Sequence, residues 1–299
     1  MTTLRDRRRG PPGGRARAFA RRCVWQLSDW TYGSGLATRL AQRLGLQGRL
    51  AVREHEFTID RMAGQAPIRM VFASDFHAGP VTDPSLLDEA CRAIAAAGPQ
   101  LLLLGGDFVY RRARDVDVLA RRLGDIDAPL GKFAVLGNHD YLGEEEHIVE
   151  RLGAAGVQVL VNESARLPAP HDDVFVCGLD DPIYGAPDIA STLHGVRGRR
   201  ILLMHAPDGL LQLGEEEWFN LALCGHTHGG QVALPFGIPL VLPAGRLNRR
   251  FSNGVYEGRR GWLRGNGPLL VSRGIGCSSV PVRLFAAPEI HVCTLRPAG

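Results

Sequence analysis

The chain has 299 residues, of which 45% are hydrophobic and 22% are charged. This is the composition of an ordinary globular protein, and it excludes a fully disordered chain, a fibrous repeat and a small disulfide scaffold. No stretch reaches the roughly 18 consecutive apolar residues that a membrane-spanning helix needs, which argues against an integral membrane protein.

The formal net charge of +4 is unevenly distributed along the chain. Residues 1–49 contain eleven arginines and two acidic residues, a net charge of +9, so residues 50–299 sum to −5. We therefore predict a basic amphipathic N-terminal segment over 1–49 and a single folded domain over 50–299. A segment rich in arginine suits an anionic membrane surface, and nucleic acid is the less favoured partner.

The N-terminal segment has the pattern of two amphipathic helices. Residues 16–30 place small and apolar side chains, including Trp30, on one helical face and arginines on the other. Residues 36–44 align three leucines opposite two arginines. Helices of this kind suit the membrane interface, and ordinary packing on the protein's own body is the alternative.

The cysteines and the arginine pair near the N-terminus bear on cellular location. The six cysteines are scattered without a C-x-x-C pair, and most lie in apolar runs, the usual setting of a small buried thiol. Arg21 and Arg22 do not begin a secretory signal, because Asp29 interrupts the apolar run that must follow. We expect a reducing compartment, and hence a cytoplasmic protein that is peripheral on the inner membrane face if its N-terminal segment is interfacial.

From residue 68 onward, apolar runs of strand length alternate with helix-like stretches. The pattern predicts helices over 84–98, 115–126 and 144–156. Continuous apolar runs are typical of strands that are buried on both faces, so we predict one α/β domain. The predicted strands are 68–74, 101–105, 132–137, 157–161, 174–179, 201–205, 221–226, 268–274 and 289–295.

Many of these strands end at polar residues of the metal-binding type. Because ligands bind at the carboxyl ends of strands in α/β sheets, parallel strands would bring these residues together. Asp75 and His77 are two residues apart and can reach one ion from the same side of an extended segment. The candidate metal ligands are Asp75, His77, Asp107, Asn138, His205, His226 and His228.

All seven candidate ligands offer oxygen or nitrogen and none offers sulfur. Imidazole with carboxylate suits Mn, Fe, Zn, Co or Ni better than a structural zinc site, and Mn is our first expectation. Seven ligands are too many for one tetrahedral ion, but they suit two divalent ions that share a carboxylate. Two such ions stabilise the attacking and leaving oxygens of a displacement at phosphorus.

The ordered motifs DFH, GGDF, GNHD, LLMHAPD and CGHTHGGQ resemble those of the calcineurin-like metallophosphoesterase superfamily over about residues 66–296. The resemblance implies a four-layer α/β/β/α sandwich of two mixed sheets. It also implies a phosphohydrolase in which a metal-bridging hydroxide is the nucleophile. GHTHGGQ and the later VSRGIG resemble a bacterial branch that includes small phosphodiesterases and a UDP-2,3-diacylglucosamine pyrophosphatase of lipid A biosynthesis.

The same resemblance gives each motif residue a role. One ion would be held by Asp75, His77 and His228, the other by Asn138, His205 and His226, with Asp107 bridging. His139 would contact the phosphate and protonate the leaving oxygen, and Asp140 would orient the His139 ring.

Tyr110 stands where the usual G-D-x-x-D motif has its last aspartate, which is not a metal ligand in the family. The metal site is therefore unaffected by this departure, whereas the rim of the site is changed. Tyr110 would stack on a base or contact a phosphate, and an ordinary packing role is the alternative.

The segment 231–250 follows two candidate ligands directly and must lie beside the site. It is strongly apolar, and its three prolines prevent a regular helix or a central strand. Such a rim suits acyl chains or a bilayer edge, and the alternative is that it covers the protein's own core. Because arginine forks match phosphate oxygens, the candidate substrate contacts are Arg246, Arg249, Arg250 and Arg273.

Together these features predict a two-metal phosphohydrolase. Its expected substrate is a phosphodiester or pyrophosphate, amphiphilic like UDP-2,3-diacylglucosamine and presented at a membrane surface. A soluble phosphodiesterase acting on nucleotide-type diesters is the alternative. A scaffold that has lost its chemistry is a weaker one, because the set of candidate ligands is complete.

Overall fold

Two six-stranded mixed sheets form the centre of the computed structural model, which describes residues 31–59, 66–142, 144–257, 263 and 266–297. The helices are α1 (Leu36–Arg43), α2 (Pro84–Ala96), α3 (Val116–Gly124), α4 (Glu145–Ala154) and α5 (Ile189–Leu193). The strands are β1 (Ala51–Ile59), β2 (Ile68–Ala73), β3 (Leu101–Leu104), β4 (Lys132–Ala134), β5 (Val157–Val159), β6 (Glu163–Arg166), β7 (Val174–Gly178), β8 (Arg199–Leu203), β9 (Leu221–Cys224), β10 (Ala233–Leu234), β11 (Ile238–Pro239), β12 (Gly254–Tyr256), β13 (Leu269–Val271) and β14 (Glu289–Pro297).

The strand order places parallel strands at the centre of each sheet. The first sheet runs β1-β14-β2-β3-β4-β5, and β2 to β5 are parallel. The second runs β12-β13-β9-β8-β7-β6, and β7, β8, β9 and β13 are parallel. β10 and β11 form a separate two-stranded hairpin. The parallel strands therefore end at a common edge of their sheet.

Alternate side chains of each central strand point into different layers. In β2, Phe72 lies between the two sheets together with Leu203 and Leu223 of the second sheet. Its neighbour Val71 packs under the helices α2, α3 and α4 with Leu102 of β3. Because both faces of these strands are buried, their sequences are continuous apolar runs.

The four-layer α/β/β/α architecture is confirmed, although the outer layer on the second sheet is thin. There the buried cluster on the outer face of the sheet is covered by α5 and by loop residues, among them Leu210, Leu247 and Phe251. Every predicted strand and helix of the domain is present, in most cases one to three residues shorter than predicted. The strands β1, β6, β10, β11 and β12 and the short α5 were not predicted.

The N-terminal segment is described from residue 31, so the predicted helix over 16–30 lies outside the described residues. The second predicted helix is present as α1, but its leucines and arginines do not lie on opposite faces as predicted. Both kinds of side chain are exposed together, and the buried residues are Thr38 and Ala41. No helix in the described ranges is both long enough and apolar enough to span a bilayer. The described cysteines, which exclude Cys23, are free and buried, as predicted: Cys91, Cys177, Cys224, Cys277 and Cys293.

Candidate metal centre

The predicted ligands lie where parallel strands end. Asp75 and His77 follow β2, and Asp107 follows β3 in the same sheet. In the second sheet, His205 follows β8, and His226 follows β9. The carboxyl ends of the two sheets meet at one side of the sandwich, which brings side chains more than 100 residues apart into contact.

These side chains form two groups that share a central carboxylate. In the first group, His228 Nε2 lies 3.0 Å from His77 Nε2 and 3.4 Å from Asp75 Oδ1. In the second, Asp107, His205 and His226 bring one ligand atom each within 4.8 Å of the others. Three residues in each group can therefore hold an ion.

Asp107 lies between the two groups. Its Oδ2 atom is 3.4 Å from His77 Nε2 and 3.3 Å from His205 Nε2. Asn138 joins the second group, because its Oδ1 atom is 3.1 Å from His205 Nε2. The geometry thus agrees with the predicted division of the ligands and with a bridging position for Asp107.

The protonation properties of these residues fit a pair of cations. Burial lowers the pKa of His77 and of His228 well below the usual value, and it lowers that of His226 to about 3. These rings are therefore neutral, which is the form that binds a metal. The Nε2 atom of His226 is buried and has no hydrogen-bond partner among the described residues. A cation beside it would satisfy this atom.

Asp107 and His205 form the most strongly charged pair of the centre. Despite its burial, the Asp107 carboxyl has a pKa well below its usual range, because His205 and His139 lie beside it. Although burial opposes protonation, Asp107 raises the pKa of His205 well above its usual value. The attraction that holds a proton here would equally hold a cation.

Five candidate ligands adopt the left-handed backbone region that side chains other than glycine rarely occupy. Such residues cost of order 1–3 kcal/mol each and concentrate at functional sites. The strain indicates that ligand placement here has taken precedence over backbone stability. The five are Asp75 (φ 55°), His77 (φ 45°), Asp107 (φ 53°), His226 (φ 71°) and His228 (φ 52°).

Neighbouring groups hold the ligands in place. The backbone N–H of His226 donates to both carboxylate oxygens of Asp75 at 3.1 Å, and Ser74 Oγ donates to Asp75 Oδ2 at 2.7 Å. His205 Nδ1 lies 2.8 Å from the carbonyl oxygen of Gly105, which directs Nε2 to the metal side of the ring. Gly137 is required, because a Cβ atom there would overlap Asp107 Oδ1.

His139 is oriented by Tyr110, and the predicted contact with Asp140 is wrong. His139 Nδ1 donates to the carbonyl oxygen of Tyr110 at 2.6 Å, and the two rings stack with centroids 5.4 Å apart. The Asp140 carboxylate instead accepts the backbone N–H groups of Gly137, Asp107 and Phe108, each at 2.9 Å. The carboxylate oxygens of Asp140 are thus engaged by backbone donors of two loops rather than by the His139 ring.

A cavity of about 440 Å³ opens beside the metal ligands. One part of its lining consists of Asp107, Asn138, His139, His226 and His228. An apolar wall is formed by Val232, Val241, Leu242, Pro243 and Val280. The remaining lining residues are Thr227, Gly230, Gln231, Ser278 and Ser279. The segment 231–250 therefore lies beside the site, as predicted.

The alternative, in which this segment covers the protein's own core, does not fit the exposure of its apolar side chains. Leu234, Ile238, Leu240 and Val241 are exposed, and Phe236 is fully exposed. Only a few residues of the segment, such as Ala233 and Leu247, are buried.

The candidate substrate contacts lie outside the cavity lining. Tyr110 is 2% exposed, which favours a packing role for its ring. Arg246, Arg249 and Arg250 are exposed on the surface that follows the apolar segment. Arg273 is partly buried, and its Nη2 atom donates to Asn253 Oδ1 at 3.1 Å.

The structure adds one buried residue that the motifs did not reveal. The Arg283 Nη2 atom lies 3.0 Å from His228 Nδ1, and Arg283 also donates to the carbonyl oxygens of Gly276 and Ala286. A single arginine in a loop, 55 residues from His228, carries no sequence signal of such a contact.

Two mixed sheets with paired metal-ligand groups at their carboxyl edge define a metal-dependent phosphoester hydrolase. The chain belongs to the calcineurin-like phosphoesterase family, whose sequence pattern it matches over residues 68–230. This family depends on a dinuclear metal centre, and the two ligand groups described above fit such a centre.

Relatives of similar length support this membership. The metallophosphoesterase YkuE of Bacillus subtilis is 33% identical over 237 residues, which are 76% of this chain and 79% of YkuE. The phosphodiesterase YaeI of Escherichia coli is 32% identical over 240 residues, 77% of this chain and 83% of YaeI. A metallophosphoesterase of Aquifex aeolicus is 29% identical over 258 residues, 84% of this chain and 93% of that protein.

Proposed function

We propose that this protein hydrolyses a phosphodiester or pyrophosphate bond of an amphiphilic substrate, such as UDP-2,3-diacylglucosamine, at the inner surface of the cytoplasmic membrane. The observation that carries the proposal is the apolar wall of the cavity, which includes Val241, Leu242 and Val280 and faces the metal ligands. An apolar wall gains free energy from acyl chains and gains little from a small polar ester. The relative named phosphodiesterase supports the type of bond.

The reaction needs groups that hold charge and a group that supplies a proton. When bound, two divalent ions, with Mn as our first expectation, would supply the positive charge that ionises a water near neutral pH and offsets the phosphoryl oxygens. Asp75, His77 and His228 would hold one ion, Asn138, His205 and His226 would hold the other, and Asp107 would serve both. No covalent enzyme intermediate is required.

His139 acts as the general acid. Its Nδ1–H donates to the carbonyl oxygen of Tyr110, so the ring must also carry a proton on Nε2 to act as the acid. As the water oxygen bonds to phosphorus and the P–O bond breaks, His139 gives this Nε2 proton to the leaving oxygen. Asp140 acts indirectly, because it fixes the backbone that carries Asp107 and His139.

The exposed arginines after the apolar segment complete the proposed substrate surface. Arg246, Arg249 and Arg250 contact anionic groups of the substrate or of neighbouring lipids, since guanidinium groups match phosphate oxygens. Arg273 lies next to Gly229, beside the metal ligand His228, and supports that loop.

The test compares one substrate with and without its acyl chains. The Mn-loaded protein would be assayed on UDP-2,3-diacylglucosamine, on UDP-glucosamine and on a water-soluble diester. We expect kcat/KM to be at least about tenfold higher for the diacylated compound, because burial of a few methylene groups is worth that much. Equal values for the first two, with a faster soluble diester, would favour a soluble phosphodiesterase.

A further inference from the structure

Helix α1 packs on the protein in an orientation that leaves its leucines in solvent. Its buried residues are Thr38 and Ala41, whereas Leu36, Leu40 and Leu44 are 66%, 55% and 65% exposed. An amphipathic helix that packs on its own domain buries the apolar stripe. In α1 the small and polar stripe is buried instead, so the leucine stripe faces away from the body.

This orientation is fixed at the edge of the metal centre. The Thr38 hydroxyl donates to the carbonyl oxygen of Pro80, and Gln47 Nε2 donates to the carbonyl oxygen of Val81 at 3.0 Å. The loop that contains Pro80 and Val81 comes three residues after the metal ligand His77. These hydrogen bonds anchor α1 and the residues after it to the loop that follows the candidate ligand His77.

A second exposed apolar region adjoins the helix. The carbonyl oxygen of Leu46, just after α1, accepts the backbone N–H of Arg283. The next residue, Leu284, is exposed and exchanges backbone hydrogen bonds with Gln231 and Ala233. There the chain enters the hairpin β10–β11, whose tip residue Phe236 is fully exposed. The two regions are therefore linked by backbone hydrogen bonds. Val241 and Val280 of the cavity's apolar wall are also exposed.

Two arginines lie on α1 itself, and the sequence before it is rich in arginine. Arg39 and Arg43 are exposed on α1 beside the leucines. Residues 1–30, which lead directly into α1, contain eight arginines and two acidic residues. Exposed leucines with flanking arginines are the composition of a helix that lies in the interface of an anionic bilayer. A second copy of the chain would bring these like charges together, which disfavours self-association.

We infer that α1 and the hairpin β10–β11 form one docking surface for an anionic lipid bilayer, which places the cavity mouth at the bilayer surface. This inference rests on the proposed function only for the link between docking and substrate. Docking itself requires the exposed leucines, Phe236 and the arginines, and it does not require hydrolysis.

The experiment measures vesicle binding and hydrolysis separately on the full-length, Mn-loaded protein. Sedimentation with vesicles of phosphatidylcholine, with or without phosphatidylglycerol, gives the partition coefficient. The variants are Leu40→Glu and Phe236→Glu, and the matched control is Val118→Glu, an exposed apolar residue of α3. Hydrolysis of a water-soluble diester reports the state of the metal centre.

Wild type and Val118→Glu should bind phosphatidylglycerol vesicles, and each of the other variants should bind at least about tenfold more weakly. Leu40→Glu should keep wild-type activity on the soluble diester. Equal vesicle binding by all proteins would overturn the docking surface. A concentration-dependent dimer that Leu40→Glu abolishes, without vesicle binding, would assign the surface to a second copy instead. Absence of hydrolysis of both the soluble diester and UDP-2,3-diacylglucosamine, with vesicle binding intact, would defeat the proposed function and leave the docking surface standing.

Discussion

The Asp140 carboxylate accepts the backbone N–H of Asp107 at 2.9 Å, across 33 residues of sequence. Asp140 thereby ties the loop after β3 to the loop after β4. Asp140→Asn keeps the size of the side chain but turns an N–H₂ group toward backbone N–H donors. We expect a loss of about 1–3 kcal/mol in the free energy of unfolding, the usual cost of an unsatisfied buried group.

Urea denaturation of the metal-free protein measures this change, and Asp127→Asn is the control because Asp127 is exposed. Activity should fall with the stability, since Asp107 and His139 both depend on this loop. If Asp140→Asn were as stable as the control, the proposed bracing role of Asp140 would be refuted.

His139→Ala separates proton donation from metal binding. The His139 ring is held by Tyr110. It also lies within 4.8 Å of ligand atoms of His77 and Asp107, but the group of Asp75, His77 and His228 and the group of Asp107, His205 and His226 are each complete without it. The variant should retain both ions by elemental analysis, while hydrolysis falls by about two to four orders of magnitude, the typical contribution of a positioned acid. His194→Ala, at an exposed position, should change neither quantity. Loss of both ions in His139→Ala would show that its role is structural.

The metal stoichiometry tests the shared carboxylate. We expect two ions per wild-type chain, one in His228→Ala, and none retained through purification in Asp107→Ala, because the Asp107 carboxylate lies beside a candidate ligand nitrogen of each group. Adding Mn to metal-depleted wild type at about 100 times its dissociation constant should stabilise the fold by about 3 kcal/mol. Asp107→Ala should show little of this gain. Two tightly held ions in that variant would contradict a bridging role.

The central part of the fold could be predicted from the sequence because burial dictates it. Runs such as LLLL at 101–104 contain no polar residue, since both faces of β3 are covered. The edge strands β1 and β6 were missed for the converse reason. Their side chains are largely exposed, so Arg53, Glu54 and Glu163 sit in strands without an apolar run. They are strands because they form hydrogen bonds with a neighbouring strand, and such pairing has little effect on amino-acid composition.

The candidate metal ligands could be predicted from the sequence, but the residues that support them could not. Metal binding requires particular residue types at strand ends, so the seven candidate ligands were recognisable. The supporting contacts around the ligands could not be predicted, because they involve backbone groups whose positions depend on the whole fold. The carbonyl of Tyr110 orients His139, and any residue at 110 has such a carbonyl. The contact between Arg283 and His228 likewise depends on a loop conformation that no local pattern determines.

Tyr110→Phe distinguishes packing from substrate contact. Since the ring is buried against His139 and the functional contact is made by the backbone, removal of the hydroxyl should change kcat and KM by less than about twofold. Both constants would be measured with a soluble diester. An increase in KM of tenfold or more with unchanged kcat would show that the hydroxyl binds substrate.

Glu289 should make the stability of the fold depend on acidic pH. Burial alone would raise the pKa of Glu289. Contact with His291 and with the backbone N–H of Arg273 outweighs burial and lowers this pKa from its usual 4.5 to about 2. Because the folded pKa is the lower one, this stabilisation is complete above about pH 5 and is lost as the pH falls toward 2. It amounts to about 3 kcal/mol.

Glu289→Gln should be less stable than wild type by up to that amount at pH 7, and the difference should shrink at pH 3. Glu56→Gln, an exposed substitution in the same sheet, is the control. A difference that stays constant between pH 7 and pH 3 would show that Glu289 stabilises the fold through packing rather than through its charge.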